Sequence, residues 1–279
     1  MKVAVASGKG GTGKTTVALN LASVMGKKVQ LLDCDVEEPD DHLFFKERLE
    51  TTQDVTVKIP KVNLLRCNGC EECSDFCQFG AITMVGEKPL VFPEMCHGCG
   101  GCTLICPKSA ITEIEQHIAV VESLVHGNIH LIHGRLDIGS TLAPEVIRAV
   151  KSEADKNATI ILDAPPGTSC PVVTTLEGTD FVVLVTEPTP FGLHDLTLAV
   201  NMVHALEIPF GVVINRSGDH DEGILEFCGK NGIPVLLRIP DDRRIAESYS
   251  RGELIIDALP EYRNHFSALL QKITDGVWQ

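Results

Sequence analysis

Two sets of residues in this 279-residue chain have the types and the spacing to do chemistry. The first is sulfur. Cys67, Cys70, Cys73 and Cys77 follow one another at C-x2-C-x2-C-x3-C, and the same spacing returns 29 positions later as Cys96, Cys99, Cys102 and Cys106. Three thiolates on one tight loop can hold three corners of an iron–sulfur cubane, and the fourth ligand must then come from elsewhere in the chain. Four thiolates also suit zinc, but zinc sites rarely place three cysteines at successive two-residue intervals, still less twice. The second set is Gly8-Lys9-Gly10-Gly11-Thr12-Gly13-Lys14-Thr15, which fits G-x-x-x-x-G-K-S/T. Gly8, Gly10, Gly11 and Gly13 let backbone N–H groups of the loop, through Thr12, Lys14, Thr15 and Thr16, turn inward around phosphate oxygens. Lys14 would neutralise the β- and γ-phosphates, and the Thr15 hydroxyl would sit on Mg²⁺.

A phosphate loop works only between a strand and a helix. Lys2 to Ala6 is a short apolar run that ends at this loop, and Thr15 to Met25 reads as the helix, with Val17, Ala18, Leu21 and Ala22 on one face. Val29 to Leu32 reads as a second buried strand closing at Asp33. Further apolar runs, 129–132, 160–162, 181–185, 212–214 and 235–237, alternate with helical stretches such as 143–154 and 193–206. Runs apolar at every position suit strands covered on both faces. The pattern predicts an α/β fold with a mostly parallel sheet flanked by helices. Between about Lys61 and Glu115 the rhythm breaks. That stretch holds eight of the eleven cysteines and repeats itself, Gly80-Ala81-Ile82-Thr83 answering Ser109-Ala110-Ile111-Thr112. A duplicated half-unit within an α/β pattern reads as an insertion with its own small fold.

The stretch Lys9-Gly10-Gly11-Thr12-Gly13-Lys14-Thr15-Thr16 resembles the deviant Walker A loop of the MinD/ParA/nitrogenase iron protein class of P-loop ATPases. The resemblance covers residues 1–58 and 117–279 and has further parts. Leu32-Asp33-Cys34-Asp35 is similar to the class's switch I, and Ile161-Leu162-Asp163-Ala164-Pro165-Pro166-Gly167-Thr168 to its Walker B and switch II. Val212-Val213-Ile214-Asn215-Arg216 ends a strand as the class's adenine-reading segment does. By this resemblance Lys9 reaches across a dimer interface to the partner's nucleotide, and the chain forms an ATP-dependent homodimer. Asp35 orients the attacking water, Asp33 and Asp163 help hold Mg²⁺, the Gly167 N–H contacts the γ-phosphate, and Asn215 meets adenine. The Pro-Pro-Gly-Thr form is similar to the Mrp-like branch, whose members carry iron–sulfur clusters between apo-proteins.

Residues 59–116 resemble the bacterial ferredoxins with two 4Fe–4S clusters, an α+β fold. In that family the fourth cysteine of each run ligates the other cluster. The resemblance therefore implies one cluster on Cys67, Cys70, Cys73 and Cys106, and a second on Cys96, Cys99, Cys102 and Cys77. Cys106-Pro107 matches the family's C-P ending, whereas Cys77-Gln78 departs from it.

The remaining residues narrow the function. A net charge of −14 argues against nucleic acid as a partner. The chain shows no uninterrupted apolar run approaching roughly 18 residues and no secretion signal, so a cytoplasmic protein without stable membrane insertion is expected. The stretch from Arg263 to Trp278 has Phe266, Leu269, Leu270 and Ile273 at helical spacing. Its polar face lacks the basic residues of an interfacial helix, so it should dock on the core. Cys34 reads as a small packed residue, Cys228 lies on an apparent helix with no partner in sequence, and Cys170, before Pro171, reads as a helix-start residue. His126 and His130 fall on a turn and a strand, where i and i+4 do not share a face. Together the motifs imply an ATPase that couples ATP binding and hydrolysis to electron transfer through two 4Fe–4S clusters, toward a redox partner. The alternative is an ATP-gated carrier that delivers a metallocluster to an apo-metalloprotein.

Overall fold

In the computed structural model, which describes residues 1–276, the buried apolar runs become the strands of one sheet. The chain opens with β1 (Lys2–Ala6), α1 (Lys14–Ser23) and β2 (Val29–Asp33), followed by a long strand, β3 (Glu50–Val62). The cysteine-rich stretch forms α2 (Glu72–Phe76), β4 (Ile82–Val85), β5 (Lys88–Val91) and α3 (Gly101–Ile105). The chain returns along β6 (Ile111–His126) into β7 (Ile129–Leu136). There follow α4 (Ala143–Ser152), β8 (Thr159–Asp163), α5 (Cys170–Leu176), β9 (Phe181–Thr186), α6 (Pro190–Ala205) and β10 (Phe210–Ser217). The last elements are α7 (Glu222–Lys230), β11 (Val235–Pro240), α8 (Arg243–Ser250), α9 (Ile255–Ala258) and α10 (Arg263–Thr274).

Nine strands form the main sheet in the order β11-β10-β9-β1-β8-β2-β7-β6-β3. Strands β11 through β7 run parallel, as continuous apolar strands under helices on both faces should. Alternate residues of β1 feed the two halves of the core. Ala4 and Ala6 face the layer under α4 to α7, while Val3 and Val5 face the layer under α1, α9 and α10.

Strands β6 and β3 were not anticipated in this form. They pair antiparallel, from Glu50 opposite Ser123 to Val62 opposite Ile111. Only the far half of β6, from Ala119 on, also pairs with β7. The near half, with its β3 partner, therefore leaves the sheet as a two-stranded ribbon. The eight cysteines lie on the loops and short helices at its end, beside the separate β4–β5 hairpin. The ribbon crosses both boundaries, 58/59 and 116/117, at which the sequence pattern suggests that one fold stops and another starts.

The C-terminal helix docks on the core as expected, with Phe266 and Leu269 fully buried and Ile273 4% exposed. The end of the helix expected from sequence, at Trp278, lies outside the described residues. Truncating Phe266 to alanine should leave a cavity beside α1 and cost about 3–5 kcal/mol of stability. Chemical denaturation would measure this, and a change below about 1 kcal/mol would mean that the helix does not pack there.

Candidate functional site

Parallel strands deliver their functional groups at their carboxyl ends. The ends of β1, β2, β8 and β10 bring Ser7, Asp33, Asp163 and Asn215 to one edge of the sheet, with Asp33 directly opposite Asp163 in register. The loop from Gly8 to Gly13 crosses this edge into α1. Gly13 has φ +92, and a Cβ there would lie 2.3 Å from the Asn215 amide nitrogen. At Gly8 a Cβ would lie 2.1 Å from the Asp195 carbonyl oxygen, so neither position admits a side chain.

A cleft of about 470 Å³ opens beside the loop. Gly10, Gly11, Gly13, Lys14, Thr15, Thr16, Asp35 and Asn215 all line it, together with Arg216, Asp241 and Tyr249. The Thr15 hydroxyl donates to Asp163 at 2.7 Å and lies 3.3 Å from Asp40. The Asn215 amide donates to the Thr12 carbonyl at 2.8 Å, tying β10 to the loop. The Gly167 N–H donates to the Ser7 carbonyl at 3.1 Å, so its approach to a phosphate requires that this bond open.

Electrostatically the edge is strained toward a cation. Burial pushes Asp163 up to about 7, against the pull of Lys14 and the Thr15 hydroxyl. Burial, then the charges of Asp163 and Asp40, raises Asp33 well above the usual carboxylate range. Asp35 is pushed up to about 6, again chiefly by burial, with Lys14 opposing. One carboxylate oxygen of Asp163 is buried with no hydrogen-bond partner. Buried, mutually repelling carboxylates beside a threonine hydroxyl are a donor set that suits Mg²⁺.

Lys9 is held within its own chain. Its ammonium pairs with Glu187, which also accepts from Arg216 at 3.1 Å. Glu187 was not singled out from the sequence, and neither were Asp40, Asp41 and Tyr249. The only local signal was the acidic run Glu37-Glu38-Pro39-Asp40-Asp41, which in a chain is ordinarily a solvated face.

The eight cysteines sort into two cavities. One is lined by Cys67, Cys70, Cys73 and Cys106, the other by Cys77, Cys96, Cys99 and Cys102. Each cavity takes three sulfurs from one run and one from the other. Burial raises the thiols of Cys73 and Cys96 above their ordinary range. Smaller contributions come from Cys67 and Cys106 on Cys73, and from Cys99 and Cys77 on Cys96. The Ala110 N–H points at the Cys106 sulfur at 3.3 Å. Two crossed sets of four thiols fit a pair of iron–sulfur clusters by their donor chemistry.

The other cysteines stand apart. Cys34 and Cys228 are buried, and exposed Cys170 is the first residue of α5, after Ser169. His126 and His130 sit on the two strands of the β6–β7 hairpin, and His126 bonds Glu47 at 2.9 Å. Among the described residues no helix is long and apolar enough to cross a membrane.

The CobQ/CobB/MinD/ParA nucleotide binding domain matches residues 3–255. Two proteins of Methanocaldococcus jannaschii, both named only as uncharacterized, are 35% and 32% identical to this chain, each match covering 99% of it and 98% of the relative. An iron-sulfur cluster carrier protein of Aquifex aeolicus is 27% identical over 93% of this chain and 62% of its own length. Among solved structures, the cell division ATPase MinD of Pyrococcus furiosus shares the fold at a TM-score of 0.59, with 22% identity and 98% of both chains covered.

Proposed function

The chain belongs to the CobQ/CobB/MinD/ParA nucleotide-binding family, and we propose that it is a homodimeric ATPase whose ATP cycle drives electron transfer through two 4Fe–4S clusters. The observation that carries the second half is the crossed sorting of eight cysteines into two four-thiol cavities. When bound there, the clusters would supply one-electron chemistry at low potential.

The chain's own residues set the ATP chemistry. The Gly8–Thr16 loop holds the phosphates with its amides, Lys14 neutralises the β- and γ-phosphates, and Thr15 with Asp33 and Asp163 receives the Mg²⁺ that enters with the substrate. Asp35, half-buried on the cleft wall, orients the water that attacks the γ-phosphorus. The bond to the ADP oxygen breaks, and ADP, phosphate and a proton leave. Asn215 stands at the adenine end. Lys9 exchanges Glu187 for the nucleotide of the partner subunit, where its charge meets the negative charge developing on the transferred group. The Gly167 N–H exchanges the Ser7 carbonyl for the γ-phosphate, which gives switch II two positions that depend on that phosphate.

The route from this edge to the sulfurs is continuous in the sheet. Asp33 ends β2, β2 pairs with β7, β7 pairs with β6, and β6 runs on into the ribbon that carries the 59–116 segment. A shift at the switch loops therefore has a rigid element to move.

A second reading has its own support in the iron-sulfur cluster carrier name of the 27% identical relative. In it the clusters are cargo for an apo-metalloprotein. Complete four-thiol ligation favours retention over release, and on that ground we place electron transfer first. Anaerobically purified protein, titrated by EPR with and without Mg-ATP, separates the two. A potential shift of tens of millivolts on adding Mg-ATP, with iron retained, is expected. Loss of iron to an apo-acceptor with no potential shift would favour the carrier. Colourless, iron-poor protein would end both.

A further inference from the structure

Three carboxylates, those of Asp33, Asp40 and Asp41, gather behind the phosphate loop. Asp33 accepts the backbone amides of Asp35, Asp40 and Asp41 at 3.0, 3.1 and 3.3 Å. This folds the loop after β2 back over the strand end and stacks Asp40 and Asp41 on Asp33. One carboxylate oxygen from each of the three lies within 4.8 Å of the others. Asp33 and Asp41 are both fully buried, and Asp40 is half-buried. Asp40 has partners, the Thr15 hydroxyl at 3.3 Å and the Tyr249 hydroxyl at 3.1 Å. Asp41 has none on either oxygen. The neighbouring Asp163, 2% exposed, also keeps one oxygen without a partner.

A buried carboxylate without a partner costs several kcal/mol, and here two more stand beside it. Among the described residues no lysine or arginine pairs with Asp41. We propose that Asp33, Asp40 and Asp41 form a divalent-cation site of the protein itself, which fills in the absence of nucleotide. The spacing suits one ion: oxygens bound at roughly 2.0–2.6 Å lie at most about 4–5 Å apart across a Mg²⁺ or Ca²⁺. An all-oxygen donor set selects Mg²⁺, Mn²⁺ or Ca²⁺ over the softer metals that thiolates prefer. The site differs from that of the ion that accompanies ATP. That ion draws on the phosphates, Thr15, Asp33 and Asp163, whereas the three carboxylates share only Asp33 with it and need no phosphate. The cation pins the 35–41 loop to the end of β2 before substrate arrives. Nothing in this inference depends on ATP hydrolysis or on the clusters.

The test is Mn²⁺ binding to full-length, cluster-loaded, nucleotide-free protein, followed by the loss of the free-ion EPR signal. One Mn²⁺ per chain is expected, displaced by Mg²⁺ or Ca²⁺. Asp41→Asn should weaken binding at least tenfold. Chelator should lower the Tm of the natural protein and leave that of Asp41→Asn unchanged. Asp40→Asn, at a half-buried position that tolerates the exchange, should also weaken binding, and it decides the matter if Asp41→Asn does not fold. No bound Mn²⁺ without nucleotide, or binding that neither substitution weakens, overturns the site.

Discussion

Replacing Lys9 with alanine is expected to lower kcat for ATP hydrolysis by about 10²–10³-fold while changing Mg-ATP affinity by less than about tenfold. The reason is where its charge is used. In the single chain Lys9 is not free to meet a nucleotide, because Glu187 holds it, and Glu187 is itself 12% exposed and fixed by Arg216. Its contribution to binding in cis should therefore be small. In the proposed closed dimer the lysine would reach the partner's phosphates, where a donor aimed at developing charge acts mostly on the transition state. Glu187→Gln tests the other side of the exchange. The Lys9–Glu187 pair is only partly shielded, with Lys9 30% exposed, so releasing it is worth no more than about 1 kcal/mol. That corresponds to a roughly fivefold rise in the dimer fraction at limiting ATP. Phosphate release gives kcat, and light scattering gives the dimer fraction. If Lys9→Ala hydrolyses ATP at the natural rate, the lysine has no catalytic part and the dimer mechanism falls with it.

The phosphate loop could be read from the sequence because its chemistry is local. Eight consecutive residues carry the glycines, the lysine and the threonine, and the flanking runs Lys2–Ala6 and Val29–Asp33 are apolar enough to mark strands without further context. Asp33 and Asp163 were legible for the same reason, each closing such a run. What the sequence hid is whatever depends on distant pairing. Glu187 is 178 residues from Lys9, and nothing near either residue signals the contact. Asp41 sits in an acidic run that reads as solvated. It is buried because the Asp33 carboxylate gathers three amides and turns the loop inward. The ribbon was hidden by its composition. In β6 the stretch Thr112-Glu113-Ile114-Glu115-Gln116-His117 carries polar side chains on both faces, and β3 contains Pro60. That stretch of β6 is exposed throughout, whereas β3 keeps a buried face in which Val55 joins the main core and Ile59 packs with Ala81 and Cys96.

The crossed ligand sets make a prediction that an uncrossed arrangement cannot share. Cys77 belongs to the first run by sequence, yet it lines the cavity of Cys96, Cys99 and Cys102. Cys77→Ala should therefore remove the second cluster and spare the first, taking bound iron from about eight to about four atoms per chain. Cys106→Ala should produce the same loss through the other cavity, where it stands with Cys67, Cys70 and Cys73. Double substitutions carry the stronger test. If the sets are crossed, Cys73→Ala with Cys77→Ala strikes one ligand of each cluster, and nearly all iron is lost although both residues lie in one run. Cys77→Ala with Cys102→Ala strikes one cluster twice, so iron should stay near half. If each run held its own cluster, these two results would be interchanged. Iron analysis and EPR of anaerobically purified variants read the difference directly. Far-UV circular dichroism confirms that the nine-stranded sheet, whose core lies away from the sulfurs, is intact in each. The interchanged outcome would mean that the cavities do not define the ligand sets, and the electron-transfer reading would lose the observation that carries it.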